Sequence, residues 1–243
     1  MAKLYKLLFN TGRQYNEKGE DNSMNQWQGK KWYCYGTSMT DNVSLINGMN
    51  SGNYSKYLAQ YSGLEEHNFG KAGSGIIPKL HGDDNIKTRC MRLDDGKTEA
   101  DLITVEIIPN DMKGELGDVT DVCDDTFCGN LNQIIEYLLS NTKATLVVLI
   151  ASRGRYQHND TAVKFLPVGE QVKQRMMWEE SVVTICKMHG IQCWNGASEA
   201  GLGYYRVAND NTFVQDQIHL TDKGGEILAK YFWGKLKGIY PVE

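Results

Sequence analysis

At 243 residues and 27.4 kDa the chain is long enough to bury one substantial core with little left over, which predicts a single main domain. Its 26 basic and 30 acidic side chains leave a net charge of −4 with no Lys/Arg run suited to a phosphate backbone, so nucleic acid is not an expected partner. No run of 18 apolar residues exists and residues 1–15 lack the basic, apolar, small-residue order of a leader, which predicts no membrane partner and a cytoplasmic location.

Residues 1–29 are polar and rich in Asn, Gln and Gly; they read as an N-terminal arm ahead of a domain at 30–243. Whether the arm packs on a neighbour or pairs with a sheet edge is open. Five apolar or β-rich runs then follow: Lys31 to Tyr35, Glu65 to Phe69, Leu102 to Ile108, Thr145 to Ala151 and Ile191 to Trp194. Helical patterns separate them: a short one at Tyr54 to Tyr61, an amphipathic one at Asn130 to Ser140, and the longest at Glu170 to His189 with Gly190 as its stop. A last helix starts after Thr221, an N-cap residue, and runs to about Leu236. This alternation specifies a three-layer α/β/α sandwich with a five-stranded parallel sheet, and chemistry is then expected at the carboxyl ends of the strands. The six cysteines form no C-x-x-C pair or metal-like spacing with the five histidines and read as free thiols, with a Cys123 to Cys128 bridge left open.

The strand ends carry the chemistry-bearing positions. Ser38 follows the first run in Tyr35-Gly36-Thr37-Ser38, where a hydroxyl can be exposed or can simply bond within a turn. The second run ends in Asn68-Phe69-Gly70-Lys71-Ala72-Gly73-Ser74-Gly75, whose glycines let the backbone approach a ligand or merely turn. The third ends in Ile108-Pro109-Asn110-Asp111, an amide donor for an oxyanion or an Asx-type turn. Far downstream lies Asp216-Gln217-Ile218-His219, where a tight turn or helix start lets both side chains share a face. A serine hydroxyl becomes an effective nucleophile when an imidazole takes its proton and a carboxylate orients that imidazole. The pattern therefore points to a serine hydrolase in the chain order Ser, Asp, His.

Together these blocks resemble the SGNH hydrolases, also called GDSL esterases. The resemblance runs from Lys31 to about Trp233 and rests on the serine in Gly-x-Ser-x-Thr, the glycine five residues after Asn68, the Asn-Asp pair and Asp-x-x-His before the last helix. It implies a flavodoxin-like fold, Ser38 as nucleophile, His219 as base and then acid, Asp216 as orienting carboxylate, and an oxyanion hole from the N–H groups of Ser38 and Gly73 and the Asn110 amide. No metal or organic cofactor is implied, and a homo-oligomer is compatible with the family. Two positions depart from its pattern: Thr37 stands where an aspartate is usual, and Ile108 where a glycine is usual. Relatives similar to carbohydrate esterases share Gly-Thr-Ser and Pro-Asn, which directs the substrate expectation to O-acetyl groups on a sugar, a small-molecule or glycan ester. A lipid acylhydrolase or thioesterase, and a non-catalytic carbohydrate-binding module, are the alternatives.

Candidate rim residues are Arg153 and Arg155, able to hold a carboxylate or sugar hydroxyl if they are not merely a solvated loop, and Tyr205, a stacking platform or a core edge. His67, His81, His158 and His189 show no partner pattern and read as structural or surface residues. Asp83, Asp84, Asp94 and Asp95 read as a solvated loop.

Overall fold

The computed structural model describes residues 25–43, 45–46, 49–50, 53–92, 99–151, 168–203, 212–216 and 218–241. The expectations for Arg153, Arg155 and Tyr205, for His158, Asp94 and Asp95, and for residues 1–24 of the arm lie outside the described residues. In chain order the elements are β1 (Lys31–Gly36), a small antiparallel pair β2 (Leu45–Ile46) and β3 (Met49–Asn50), α1 (Asn53–Ser62), β4 (Glu65–Gly70), α2 (Pro78–His81), α3 (Ile86–Met91) and β5 (Leu102–Glu106). There follow a 3-10 turn (Pro109–Lys113), α4 (Phe127–Asn141), β6 (Thr145–Ile150), α5 (Val168–Met188), β7 (Gln192–Asn195), α6 (Gly196–Glu199) and α7 (Asp222–Leu236). The five strands foreseen from sequence form one sheet in the order β4-β1-β5-β6-β7, parallel throughout. This is the flavodoxin-like winding, with the order reversing about β1.

Side chains alternate across the sheet with the period of two that a pleated strand imposes. Tyr33, Tyr35, Ile103, Val105, Leu146, Val148 and Ile150 face a core closed by α3, α4 and α5. Trp32, Cys34, Leu102, Val147 and Leu149 face a second core closed by α1 and α7, which also pack on each other. Trp27 is buried in this second core, and its indole Nε1 donates to Leu236 O at 3.0 Å. The ends of the long helices carry the signals expected of them. Thr221 caps α7 by accepting from Gly224 N, and Gly190, at φ 69°, ends α5. All six cysteines are free, so the bridge left open between Cys123 and Cys128 does not form. No described helix is long and apolar enough to cross a membrane.

The third strand stops two residues before its expected end. Ile108 adopts φ 102° and ψ −76°, a conformation hostile to a β-branched side chain, and Pro109 behind it has no N–H to offer a ladder. The chain leaves the sheet there and enters the 3-10 turn.

At the carboxyl edge the first two strands and their loops are drawn very close. A Cβ on Gly70 would overlap the backbone of Thr40 and Asp41, and one on Gly36 would overlap the Thr40 side chain and Glu106. Glu106, the last residue of β5, is fully buried, and its Oε2 accepts from Thr37 N at 2.8 Å, Thr37 Oγ1 at 2.7 Å and Thr40 Oγ1 at 3.3 Å. Among the described residues its Oε1 has no partner. Burial pushes the Glu106 carboxyl up to about 7, against the pull of the Thr37 and Thr40 donors and the positive charge of Arg175. A proton on the unpartnered Oε1 leaves Oε2 free to keep all three bonds.

Two outcomes are expected. Between the ordinary glutamate value of 4.5 and about 7 the native protein keeps a proton that the unfolded chain has released, so stability falls as pH rises through that window, by roughly 3 kcal/mol. Glu106→Gln should remove this component, so its melting temperature relative to wild type should rise between pH 5 and pH 8; parallel curves for the two proteins would refute the assignment. Gly70→Ala should lower the urea midpoint, at a cost of about 1–3 kcal/mol from forced displacement of the Thr40–Asp41 backbone.

Candidate active site

The winding reverses about β1, and at the carboxyl edge the described candidates Ser38, Gly73, Asn110, Asp216 and His219 lie on separate loops. Ser38 lies two residues past β1 and is buried. The chain turns sharply behind it, with Thr40 N and Asp41 N both donating to Thr37 O at 3.0 Å. Ser38 Oγ is 2.9 Å from His219 Nε2, and His219 Nδ1 is 2.6 Å from Asp216 Oδ2. With the proton on Nδ1 facing the carboxylate, the Nε2 lone pair faces the serine hydroxyl.

Asp216 and His219 come from one tightly stapled loop just ahead of α7. Gln215 N donates to His219 O at 2.8 Å, Thr221 N donates to Phe213 O at 3.0 Å, and Val214 bridges Leu220 in antiparallel fashion. Asp216 Oδ1 accepts from the backbone N–H groups of Ile218 at 3.1 Å and His219 at 2.7 Å. Burial raises the Asp216 carboxyl, but these two N–H groups and the His219 ring outweigh it and hold the group below the usual carboxylate value. It therefore stays ionised across the neutral range and can orient the imidazole.

The glycine-rich loop after β4 is pinned residue by residue. Lys71 N donates to Gly36 O at 3.1 Å, Ala72 N to Asp41 Oδ2 at 3.0 Å, and Ile86 N to Gly75 O at 2.8 Å. Asn110 Nδ2 donates to Ser74 O at 2.7 Å. Asp111, fully buried, accepts from Ile76 N at 2.9 Å and Ile77 N at 3.0 Å. Arg89 reaches across from α3 to Phe69 O at 3.1 Å, Gly36 O at 3.3 Å and Ser74 Oγ at 3.2 Å. Gly73 sits at φ 75°, and among the described residues its N–H has no partner. A primary amide has two N–H donors, so the bond to Ser74 leaves Asn110 a second one for a ligand.

The two departures from the family pattern find different local solutions. Thr37 donates twice to Glu106, so the turn before Ser38 is fastened by a carboxylate from β5 rather than by one at position 37. Ile108 keeps the positive φ that glycine would accept without cost, a strain of about 1–3 kcal/mol held next to Asn110.

Several residues that build this region had escaped sequence reasoning. Glu106 had a signal, a lone carboxylate inside an otherwise apolar strand. Asp41, Arg89 and His81 had none, because their partners are backbone groups or distant in sequence. Of the two readings open for His81, structural or surface, the structural one holds: its side chain is 3% exposed and lies 3.1 Å from Asp111. Among the described residues no cluster of His, Cys, Asp and Glu is arranged to hold a metal ion. Asp84 pairs with Lys71 at 2.6 Å in the exposed loop where it was expected.

No protein-family model matches the chain, and neither does any curated protein. Solved structures do. A protein from Lactobacillus plantarum is 21% identical with a TM-score of 0.72, covering 88% of this chain and 99% of that one. An acetyl xylan esterase from Geobacillus stearothermophilus is 15% identical with a TM-score of 0.59, covering 90% and 100%. A protein provisionally assigned as a GDSL-like lipase from Parabacteroides merdae is 16% identical with a TM-score of 0.59, covering 87% and 96%. At such identities the likeness is one of architecture: the chain has the α/β/α fold of the SGNH, or GDSL-like, hydrolases.

Proposed function

We propose that the protein is a serine esterase that removes O-acyl groups, acetyl above all, from a carbohydrate. The observation that carries the reading is the hydrogen-bonded line from Ser38 Oγ through the His219 ring to Asp216, anchored in a loop that holds the carboxylate ionised. Ser38 attacks the ester carbonyl while His219 Nε2 takes its proton, and the carbonyl oxygen becomes an oxyanion. The N–H groups of Ser38 and Gly73 and the second N–H of Asn110 stabilise that charge. His219 returns the proton to the departing alcohol, leaving an acyl-serine. Water, deprotonated by His219, then attacks the acyl-serine; collapse of the second tetrahedral species releases the acid and restores Ser38. Asp216 stays ionised throughout and keeps Nε2 directed at the reacting atoms. No step calls on a metal or organic cofactor.

The choice of acetylated sugar as substrate is supported by the Gly-Thr-Ser and Pro-Asn blocks and by the architecture shared with an acetyl xylan esterase. Arg153, Arg155 and Tyr205 are the proposed contacts to the sugar.

Acetate release from p-nitrophenyl acetate and from a peracetylated xylo-oligosaccharide, with Ser38→Ala beside the wild type, tests both levels. Release from both that disappears in Ser38→Ala is the expected result. Release from the nitrophenyl ester alone would keep the chemistry and overturn the sugar, and no serine-dependent release from either, with no labelling by a fluorophosphonate, would overturn the esterase. Asn110→Ala should lower kcat by roughly 10²- to 10³-fold with fluorophosphonate labelling of Ser38 still detectable.

A further inference from the structure

The peptide that carries the Gly73 N–H is fixed on one side by Asp41 and on the other by a histidine outside the proposed triad. His81 ends the single turn α2, and its ring lies between two oxygens: Nδ1 is 3.2 Å from Gly73 O and Nε2 is 3.1 Å from Asp111 Oδ1. A carbonyl oxygen can only accept. The Asp111 oxygens already accept from Ile76 N and Ile77 N, which fixes the carboxyl beside the ring. With a proton on Nδ1 the ring donates to Gly73 O, and its Nε2 faces the Asp111 carboxyl. The pair is enclosed, with side chains 3% and 0% exposed, and the loop is shaped around it: a Cβ on Gly75 would overlap His81 Nε2 and both Asp111 oxygens. Gly75 is thus a glycine that makes room for this pair of side chains.

We infer that His81 is a positioning residue for the proposed oxyanion donor Gly73, with Asp111 holding its ring in place. Gly73 occupies φ 75° with open space where a side chain would be, so nothing of its own restrains it from rotating. The restraint comes from its neighbours: Asp41 holds Ala72 N, and His81 holds Gly73 O. Together they clamp the peptide between them and set the direction of the Gly73 N–H. Residues 110 and 111 act on the same loop as a unit, since Asn110 holds Ser74 O directly while Asp111 holds Gly73 O through His81.

The inference rests on the esterase reading, and two conservative substitutions separate positioning from simple support of the fold. In His81→Asn the side-chain amide nitrogen takes the place of imidazole Nδ1, so the donor to Gly73 survives and the bond to Asp111 is lost. In His81→Gln it takes the place of Nε2, and the reverse holds. On p-nitrophenyl acetate, His81→Asn should stay within about threefold of the wild-type kcat, while His81→Gln should lose about tenfold or more in kcat with KM little changed, a fraction of what removing a whole oxyanion donor costs. Equal losses in both variants that track their melting temperatures, or a better rate in Gln than in Asn, would make His81 a structural prop and overturn the inference. A readout independent of turnover is nitrogen-15 NMR of the His81 ring, where a proton on Nδ1 is expected and a proton confined to Nε2 would overturn it. If the wild type shows no Ser38-dependent hydrolysis, the esterase reading fails by its own test, and the ring spectrum still decides whether His81 Nδ1 donates to Gly73 O.

Discussion

Everything at the carboxyl edge depends on the reversal of winding at β1, which sets β4 on one side of that strand and β5 on the other. Crossovers leaving a parallel sheet on opposite faces must diverge, and the space between them is the only place where loops from three neighbouring strands can meet without competing for the same volume. Gly36 and Gly70 then let the backbones close to a separation that any side chain would prevent. The proposed nucleophile, the glycine-rich loop and the Asn110 amide owe their proximity to that topology before any side-chain contact is made.

Holding such loops together creates a difficulty, because each irregular segment buries N–H groups that no sheet or helix satisfies. The chain solves it repeatedly with carboxylates. Glu106 takes Thr37 N, Asp41 takes Ala72 N, Asp111 takes Ile76 N and Ile77 N, and Asp216 takes Ile218 N and His219 N. These four acidic groups serve the backbone first, and their chemical effects follow from that service. Asp216, with partners on both oxygens, is held ionised, whereas Glu106, with one oxygen left dry, retains its proton to about neutrality.

How much of this was legible in the sequence depends on what kind of signal each part left. The strands beginning at Lys31, Glu65, Leu102 and Thr145 were visible because apolar runs and turn punctuation are local, and α7 was visible to the residue because a threonine cap is local too. The elements α2, α3 and α6 span six residues or fewer, too short for a period of 3.6 to register. Ser38, Asp216 and His219 could be nominated because their chemistry ties residue type to spacing, and they lie in one hydrogen-bonded line. His81 could not, since its partners are a backbone oxygen and an aspartate 30 residues away. Ile108 is the opposite case: an anomaly visible in sequence, a bulky residue where a glycine is usual, whose positive φ only the fold reveals.

The described residues 213–216 and 218–221 form a clip in which Gln215–His219, Phe213–Thr221, Val214–Leu220 and Asp216–His219 pair with near neighbours in sequence. Asp216 and His219 therefore stay matched to each other however the clip moves, and a single long-range separation, from Ser38 to His219, decides whether the imidazole can reach the hydroxyl. A shift of the clip by the width of one atom would leave a fully assembled His–Asp pair facing nothing, and its return would need no local rearrangement. Loss of function by strain or heating at this edge is accordingly expected to set in before the fold itself gives way, and to be reversible.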